Sequence, residues 1–246
     1  CRVRRGGSLA RTYAMTLVDL DHLKKAAALK ASEFVRSGMV VGLGTGSTAK
    51  HLLVALGEQV KAGMKLRGVP TSQETATLAK EVGIPLIDAE NRWEIDVAID
   101  GADQVDPHFN LIKGGGGALL KEKIVAASAK QFIVVVDHTK QVPVLGGSFP
   151  LPIEVIPFGW GSTAREIEAL TNSRVVLRER NGAPFRTEAG NLIVDVHIDR
   201  ISQPGELETA LNLIPGVVET GLFVGRTNVL IVGAPQGVYT LHAPKV

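Results

Sequence analysis

Gly44-Thr45-Gly46-Ser47-Thr48 sets two glycines and three hydroxyls where an apolar run gives way to an amphipathic one. Backbone N–H groups at a helix N-terminus attract anions, with the helix dipole behind them, so this loop reads as a phosphate cradle. A dinucleotide-binding glycine pattern would want a third glycine at Ser47 and an acid about 20 residues further on, where the chain has Thr71 and Ser72. The Gly-Lys-Ser/Thr of a nucleotide-binding P-loop is absent from the sequence. The plain alternative is a tight turn with a Ser or Thr cap.

Asp100-Gly101-Ala102-Asp103 places two carboxyls at the end of a second apolar run, with Gly101 permitting a sharp turn between them. Paired carboxylates serve acid–base chemistry; a helix cap or Asx turn is the competing reading. Asp96 reads as structural. In Lys113-Gly114-Gly115-Gly116-Gly117, glycines let backbone approach a ligand, and a helix follows that carries Glu122. Glu122 shares a helix face with Ala118, Ala126 and Ala129, a recess of small side chains where burial raises a carboxylate's pKa. Alone, between Lys121 and Lys123, it would read as a surface charge; the neighbouring clusters favour a base. Lys140, just past Asp137-His138, adds a cation at the same edge. His22, His51, His108, His138, His197 and His242 form no His-x-His or His-x-x-x-His pair, so neither a metal nor a cofactor is expected.

These loops need a scaffold that brings them together. Apolar runs at 39–43, 66–70, 84–87, 95–100 and 132–137 read as strands, and helical periodicity runs from a cap at Asp19 or Asp21 to near Gly38, from the Gly44–Thr48 loop to Gly57 or Gly63, and over 73–81 and 119–130. Alternation of this kind predicts a doubly wound, mostly parallel, Rossmann-like α/β sheet, with ligands beyond the carboxyl ends of the strands. After Gly147 the order becomes strand 151–156, helix 162–171, strand 174–180, strand 192–198 and helix 206–213, as in a smaller α+β ferredoxin-like domain. The run 228–232 is apolar enough to rejoin the first sheet. The expected organisation is an extension over 1–18, an α/β catalytic domain over 19–147 plus 223–246, and the small domain over 148–222.

Hydrophobic residues make up 45% of the chain and aromatic ones only 4%, which suits a core of Val, Ile, Leu and Ala. The net charge of +2 owes four positive charges to Arg2, Arg4, Arg5 and Arg11, so no basic surface for nucleic acid is expected. No apolar run reaches the roughly 18 residues that span a bilayer, so no membrane partner is expected either. The single cysteine, Cys1, suits a reducing, cytoplasmic setting. Residues 1–14 read as upstream or appended sequence rather than a targeting remnant, with Met15 the expected start.

Gly42-Leu-Gly-Thr-Gly-Ser-Thr48, Asp100-Gly-Ala-Asp103, Lys113-Gly-Gly-Gly and Lys121-Glu-Lys123 occur in this order in the A-type ribose-5-phosphate isomerases, which the chain resembles from about Asp19 to Val238. Phe149 to Pro157 and Ile214 to Phe223 extend the resemblance through the second domain. It implies interconversion of ribose 5-phosphate and ribulose 5-phosphate in the non-oxidative pentose phosphate pathway. Asp100, Asp103, Lys113 and Glu122 match the catalytic set, and Lys24, Ser47, Thr48 and Lys140 lie near the sugar phosphate. A homodimer or homotetramer is also implied. One departure is Gln104, where the family commonly has Glu. Two other classes share features with the fold: coenzyme A transferases, whose glutamate is a nucleophile, and non-catalytic sugar-phosphate sensors, which normally carry a DNA-binding segment longer than the Arg-rich start here.

Overall fold

The computed structural model describes residues 19–88, 90 and 92–243; the expected extension at 1–18 lies outside them. Asp19 caps helix α1 (Leu20–Ser32) by accepting from the Asp21 and His22 N–H groups. Strand β1 (Val40–Leu43), helix α2 (Ser47–Lys61), strand β2 (Arg67–Pro70) and helix α3 (Gln73–Glu81) follow. Then come β3 (Val97–Asp100), two short strands β4 (Gln104–Val105) and β5 (Leu111–Ile112), helix α4 (Leu119–Ala127) and β6 (Phe132–Asp137). The second half holds β7 (Leu151–Val155), α5 (Trp160–Thr171), β8 (Arg174–Leu177), β9 (Glu179–Arg180), β10 (Ala183–Pro184), β11 (Leu192–His197), α6 (Pro204–Asn212) and β12 (Val217–Thr220). The last strands are β13 (Leu222–Phe223), β14 (Val229–Ala234) and β15 (Gly237–His242).

The main sheet runs β15-β14-β6-β3-β1-β2, parallel throughout except for the antiparallel edge strand β15. All residues of β1, β3, β6 and β14 are buried, as expected of strands covered on both faces. One face packs on α1 and α2 through Ala27, Ala31, Leu52 and Leu56; the other packs on α4 through Val125 and Ala126. Val229 to Ala234 does rejoin this sheet, beside β6. The expected strand at 84–87 shrinks to a single bridge between Leu86 and Gly68, because Pro85 has no N–H to extend a ladder.

A second, four-stranded antiparallel sheet runs β12-β7-β11-β8, with α5 and α6 as its two crossovers, which is the ferredoxin-like order. The expected strand 174–180 breaks at Arg178. The three-stranded sheet β13-β5-β4 joins the β3–α4 connection to the segment after β12, and Lys113 directly follows β5. No helix among the described residues is long and apolar enough to cross a membrane.

Candidate active site

Since β6, β3 and β1 are adjacent and parallel, their carboxyl ends deliver Asp137, Asp100 and the Gly44–Thr48 loop to one sheet edge. The glycine loop after β5 and the first turn of α4 close over that edge. Together they line a cavity of about 150 Å³ that includes Thr45, Gly46, Ser47, Thr48, Asp103, Lys113, Gly114, Gly115, Gly116, Glu122, Lys24 and Lys140.

Lys113 is the electrostatic centre. Its side chain is only 3% exposed; Nζ donates to the Gly101 carbonyl at 2.6 Å and stands 3.0 Å from Asp100 Oδ2 and 3.3 Å from Glu122 Oε2. The Phe223 ring lies 5.5 Å from the ammonium, which adds a cation–π contact. Burial alone would lower the Lys113 pKa, but Asp100 and then Glu122 raise it well above the usual lysine value. Lys113 is thus a fixed cation.

Glu122 is 7% exposed, and burial pushes its pKa up to about 8; Lys113 pulls it down, while Asp100 and Asp103 push it further up. The 3.3 Å approach to Lys113 pairs the charges without hydrogen-bond geometry, so Oε2 has no hydrogen-bond partner among the described residues. A carboxyl that lines a cavity, has Oε2 turned to Lys113 and titrates near neutrality is equipped to accept and return a proton.

The two aspartates part company. Asp103 lines the cavity and accepts from the Gly115 N–H at 2.8 Å. Asp100 sits behind Lys113, outside the cavity lining. Its Oδ1 accepts from the Gly101 and Thr45 N–H groups at 2.7 and 3.1 Å, and its Oδ2 pairs with Lys113. Burial raises its pKa and Lys113 opposes the rise. The structure therefore makes Asp100 the support of Lys113 rather than a group facing the cavity.

The phosphate-cradle loop also divides. Gly46, with φ at 100°, is the N-cap of α2 and no side chain caps the helix, so the first-turn N–H groups beside Ser47 and Thr48 stay available. The Thr45 hydroxyl turns away from the cavity, bonding to Thr71, Ser72 and Thr75. Gly44, expected at the ligand, lies outside the lining; a Cβ there would collide with the Asp100 carboxyl and Cα. Gly44→Ala is expected to displace Asp100, costing about 1–3 kcal/mol of stability and most of the activity, checked by thermal melts and turnover of the same preparation.

Sequence reasoning passed over two supports. Asp137 is buried at the cavity edge and caps the short turn His138–Lys140 by accepting from the Thr139 N–H, which places Lys140. Lys123, buried beside Glu122 on α4, bonds Glu208 and Glu219 at 2.7 Å each and stands 5.0 Å from Phe223, pinning α4 to the second sheet. An Asp ending an apolar strand was a visible signal for the first; nothing local marked the second. Gln104 is buried and exchanges two 2.8 Å hydrogen bonds with the Gly146 backbone, one as donor and one as acceptor. A carboxylate could not donate there. Asp96, read as structural, accepts from the Val40 N–H and from Lys130, away from the cavity.

The family model for ribose 5-phosphate isomerase A (phosphoriboisomerase A) matches residues 67–237. The chain belongs to this family. Ribose-5-phosphate isomerase A of Bradyrhizobium diazoefficiens is 47% identical over 238 residues, covering 93% of this chain and 98% of that protein. The protein of the same name from Jannaschia sp. is 50% identical over 229 residues, covering 90% and 87%. Among solved structures, ribose 5-phosphate isomerase A from Methanocaldococcus jannaschii is similar with a TM-score of 0.86 at 40% identity, covering 90% of this chain and 99% of that one. A D-ribose-5-phosphate isomerase in complex with phospho-erythronic acid gives a TM-score of 0.88 at 43% identity, covering 91% and 99%. The mostly parallel main sheet described above agrees with these ribose 5-phosphate isomerase A structures.

Proposed function

We propose that Glu122 is the base with which this member of the ribose 5-phosphate isomerase A family interconverts ribose 5-phosphate and ribulose 5-phosphate through an enediolate. The interconversion itself is the activity of the family. The observation that carries the proton-transfer reading is the buried Glu122 carboxyl, which lines the cavity beside Lys113 with a pKa of about 8. In the opened sugar, the Glu122 carboxylate removes the C2 proton and returns it at C1. Lys113, with those N–H groups of the glycine loop that are not already given to Asp103, stabilises the oxygen that becomes negative. Asp103 takes and returns the hydroxyl protons.

The first-turn N–H groups of α2, with Ser47, Thr48, Lys24 and Lys140, form the phosphate end of the same cavity. Lys140→Ala is expected to raise KM by about tenfold or more, the worth of a charge-assisted hydrogen bond, with kcat nearly unchanged. Steady-state kinetics separates the two constants. The proton-transfer reading is tested by running the isomerisation of ribose 5-phosphate in D₂O with EDTA present. Exchange of the Glu122 proton with solvent before its return should place some deuterium at C1 of ribulose 5-phosphate; deuterium-free product together with a Glu122→Gln variant at full rate would indicate a direct hydride shift and overturn the reading.

The segments 19–147 plus 223–246 act as the catalytic domain and 148–222 as its support, since every residue named in the cavity comes from the first segment. Phe158 and Leu213, 89% and 79% exposed, lie close in sequence to the hydrogen bond from the Ile156 N–H to the Gly216 carbonyl. They are apolar surface that a homodimer or homotetramer formed through the small domain would cover. A monomeric native mass would count against that assembly.

A further inference from the structure

Arg178 interrupts the strand path between β8 and β9, and its guanidinium bridges the two halves of the molecule. Nε donates to Asp195 Oδ2 at 2.8 Å and Nη2 donates to Asp195 Oδ1, the bidentate arrangement natural to arginine. The remaining edge reaches the glycine loop, where Nη1 donates to the Gly114 carbonyl at 2.7 Å and the Gly115 carbonyl at 3.2 Å. Both charged side chains are largely buried, at 13% and 16% exposure.

The Gly114 carbonyl and the Gly115 N–H belong to one peptide unit. Arg178 holds its oxygen and Asp103 holds its N–H at 2.8 Å, so that plane is clamped at both ends. In the next unit Arg178 holds the Gly115 carbonyl. Because a trans peptide points its N–H opposite to its C=O, the Gly116 N–H is directed away from Arg178. Gly116 lines the cavity, and its N–H makes no hydrogen bond within the described residues. Four consecutive glycines have no conformational preference of their own to hold such a donor still.

We propose that Arg178, anchored by Asp195, is a positioning residue: it fixes the Gly114–Gly116 peptides from the second sheet so that the Gly116 N–H is aimed at the developing oxyanion. This rests on the enediolate reading given above. A donor that is present but mobile loses its advantage in the transition state more than in substrate binding.

The test uses the full chain with Arg178→Lys, which keeps the charge but cannot fork between Asp195 and two carbonyls. The expected result is a kcat reduced by about ten- to hundredfold, part of the 10²–10³ that one such donor is worth. KM should stay within about threefold and the pH profile should be unchanged, because Glu122 is untouched. Binding of a phosphorylated four-carbon aldonate, whose carboxylate imitates the planar enediolate, should weaken by the same factor as kcat. Asp195→Asn, which releases the anchor and keeps the volume, should show the same pattern in milder form if Arg178→Lys does not fold. Unchanged kcat in both variants, or a loss divided equally between aldonate binding and KM, would overturn the proposal. An Arg178→Lys enzyme at full rate beside an inactive Glu122→Gln enzyme would sink this inference alone. Full activity in Glu122→Gln would instead sink the base assignment on which it rests.

Discussion

Glu122→Gln is expected to lower kcat by about 10²–10⁴-fold, the range that positioned acid–base groups supply, while KM changes by no more than about threefold. The amide keeps the shape of the side chain and loses its charge beside Lys113 and the ability to take a proton. Two pH measurements accompany the loss. The wild-type kcat/KM should climb through pH 8 and level off above it, since the base works as carboxylate and burial holds its pKa up to about 8. Stability should move the other way. The folded carboxyl keeps a proton that the unfolded chain, at the ordinary value of 4.5, has already released. The native state then binds more protons than the unfolded one between those values, and stability falls as pH rises across that window. Glu122→Gln removes the burden, so the variant should melt above the wild type at pH 9, with the gap closing towards pH 4.5. A wild type that melts equally to the variant at pH 9 would contradict the buried, proton-holding carboxyl.

Lys113→Met should be the more damaging substitution overall. It deletes the donor proposed for the developing oxyanion, worth about 10²–10³ in kcat, and strips Asp100 and Glu122 of the cation they share. Breaking a buried ion pair from one side typically costs about 3–5 kcal/mol, because the remaining charge is left uncompensated. That cost should be largest at alkaline pH and shrink as the carboxyls become protonated. Melts at pH 5 and pH 8 resolve it. The acid limb of the rate profile should also shift to higher pH, since Lys113 is the main group opposing the rise of the Glu122 pKa. A Lys113→Met protein with wild-type stability at pH 8 would show that the acids are not held charged against this lysine.

Much of the architecture follows from local pattern. The β-branched run Phe132 to Asp137 and the apolar runs ending at Leu43 and Asp100 could only be buried strands, and helical spacing alone put Glu122 among small side chains. With strands parallel, three polar loops had to meet at their carboxyl ends, and the cavity at that edge holds residues from each. Two-residue strands such as β4, β5 and β13 are too short for any periodicity to show.

Residue types and order along the chain determined the fold class, the glycine- and hydroxyl-rich loop at a helix N-terminus and the pool of acids and cations. Their division of labour needed the tertiary structure. Asp100 and Asp103 are the same residue type three positions apart, yet one is turned under Lys113 and the other towards the cavity. Gly44 matters for the room it leaves to a carboxyl 56 residues later, not for a ligand. The grip of Arg178 on Gly114 spans 64 residues and that of Lys123 on Glu219 spans 96. Such contacts are set by how two sheets pack, and burial and orientation, which decide a pKa or aim an N–H group, exist only once that packing does.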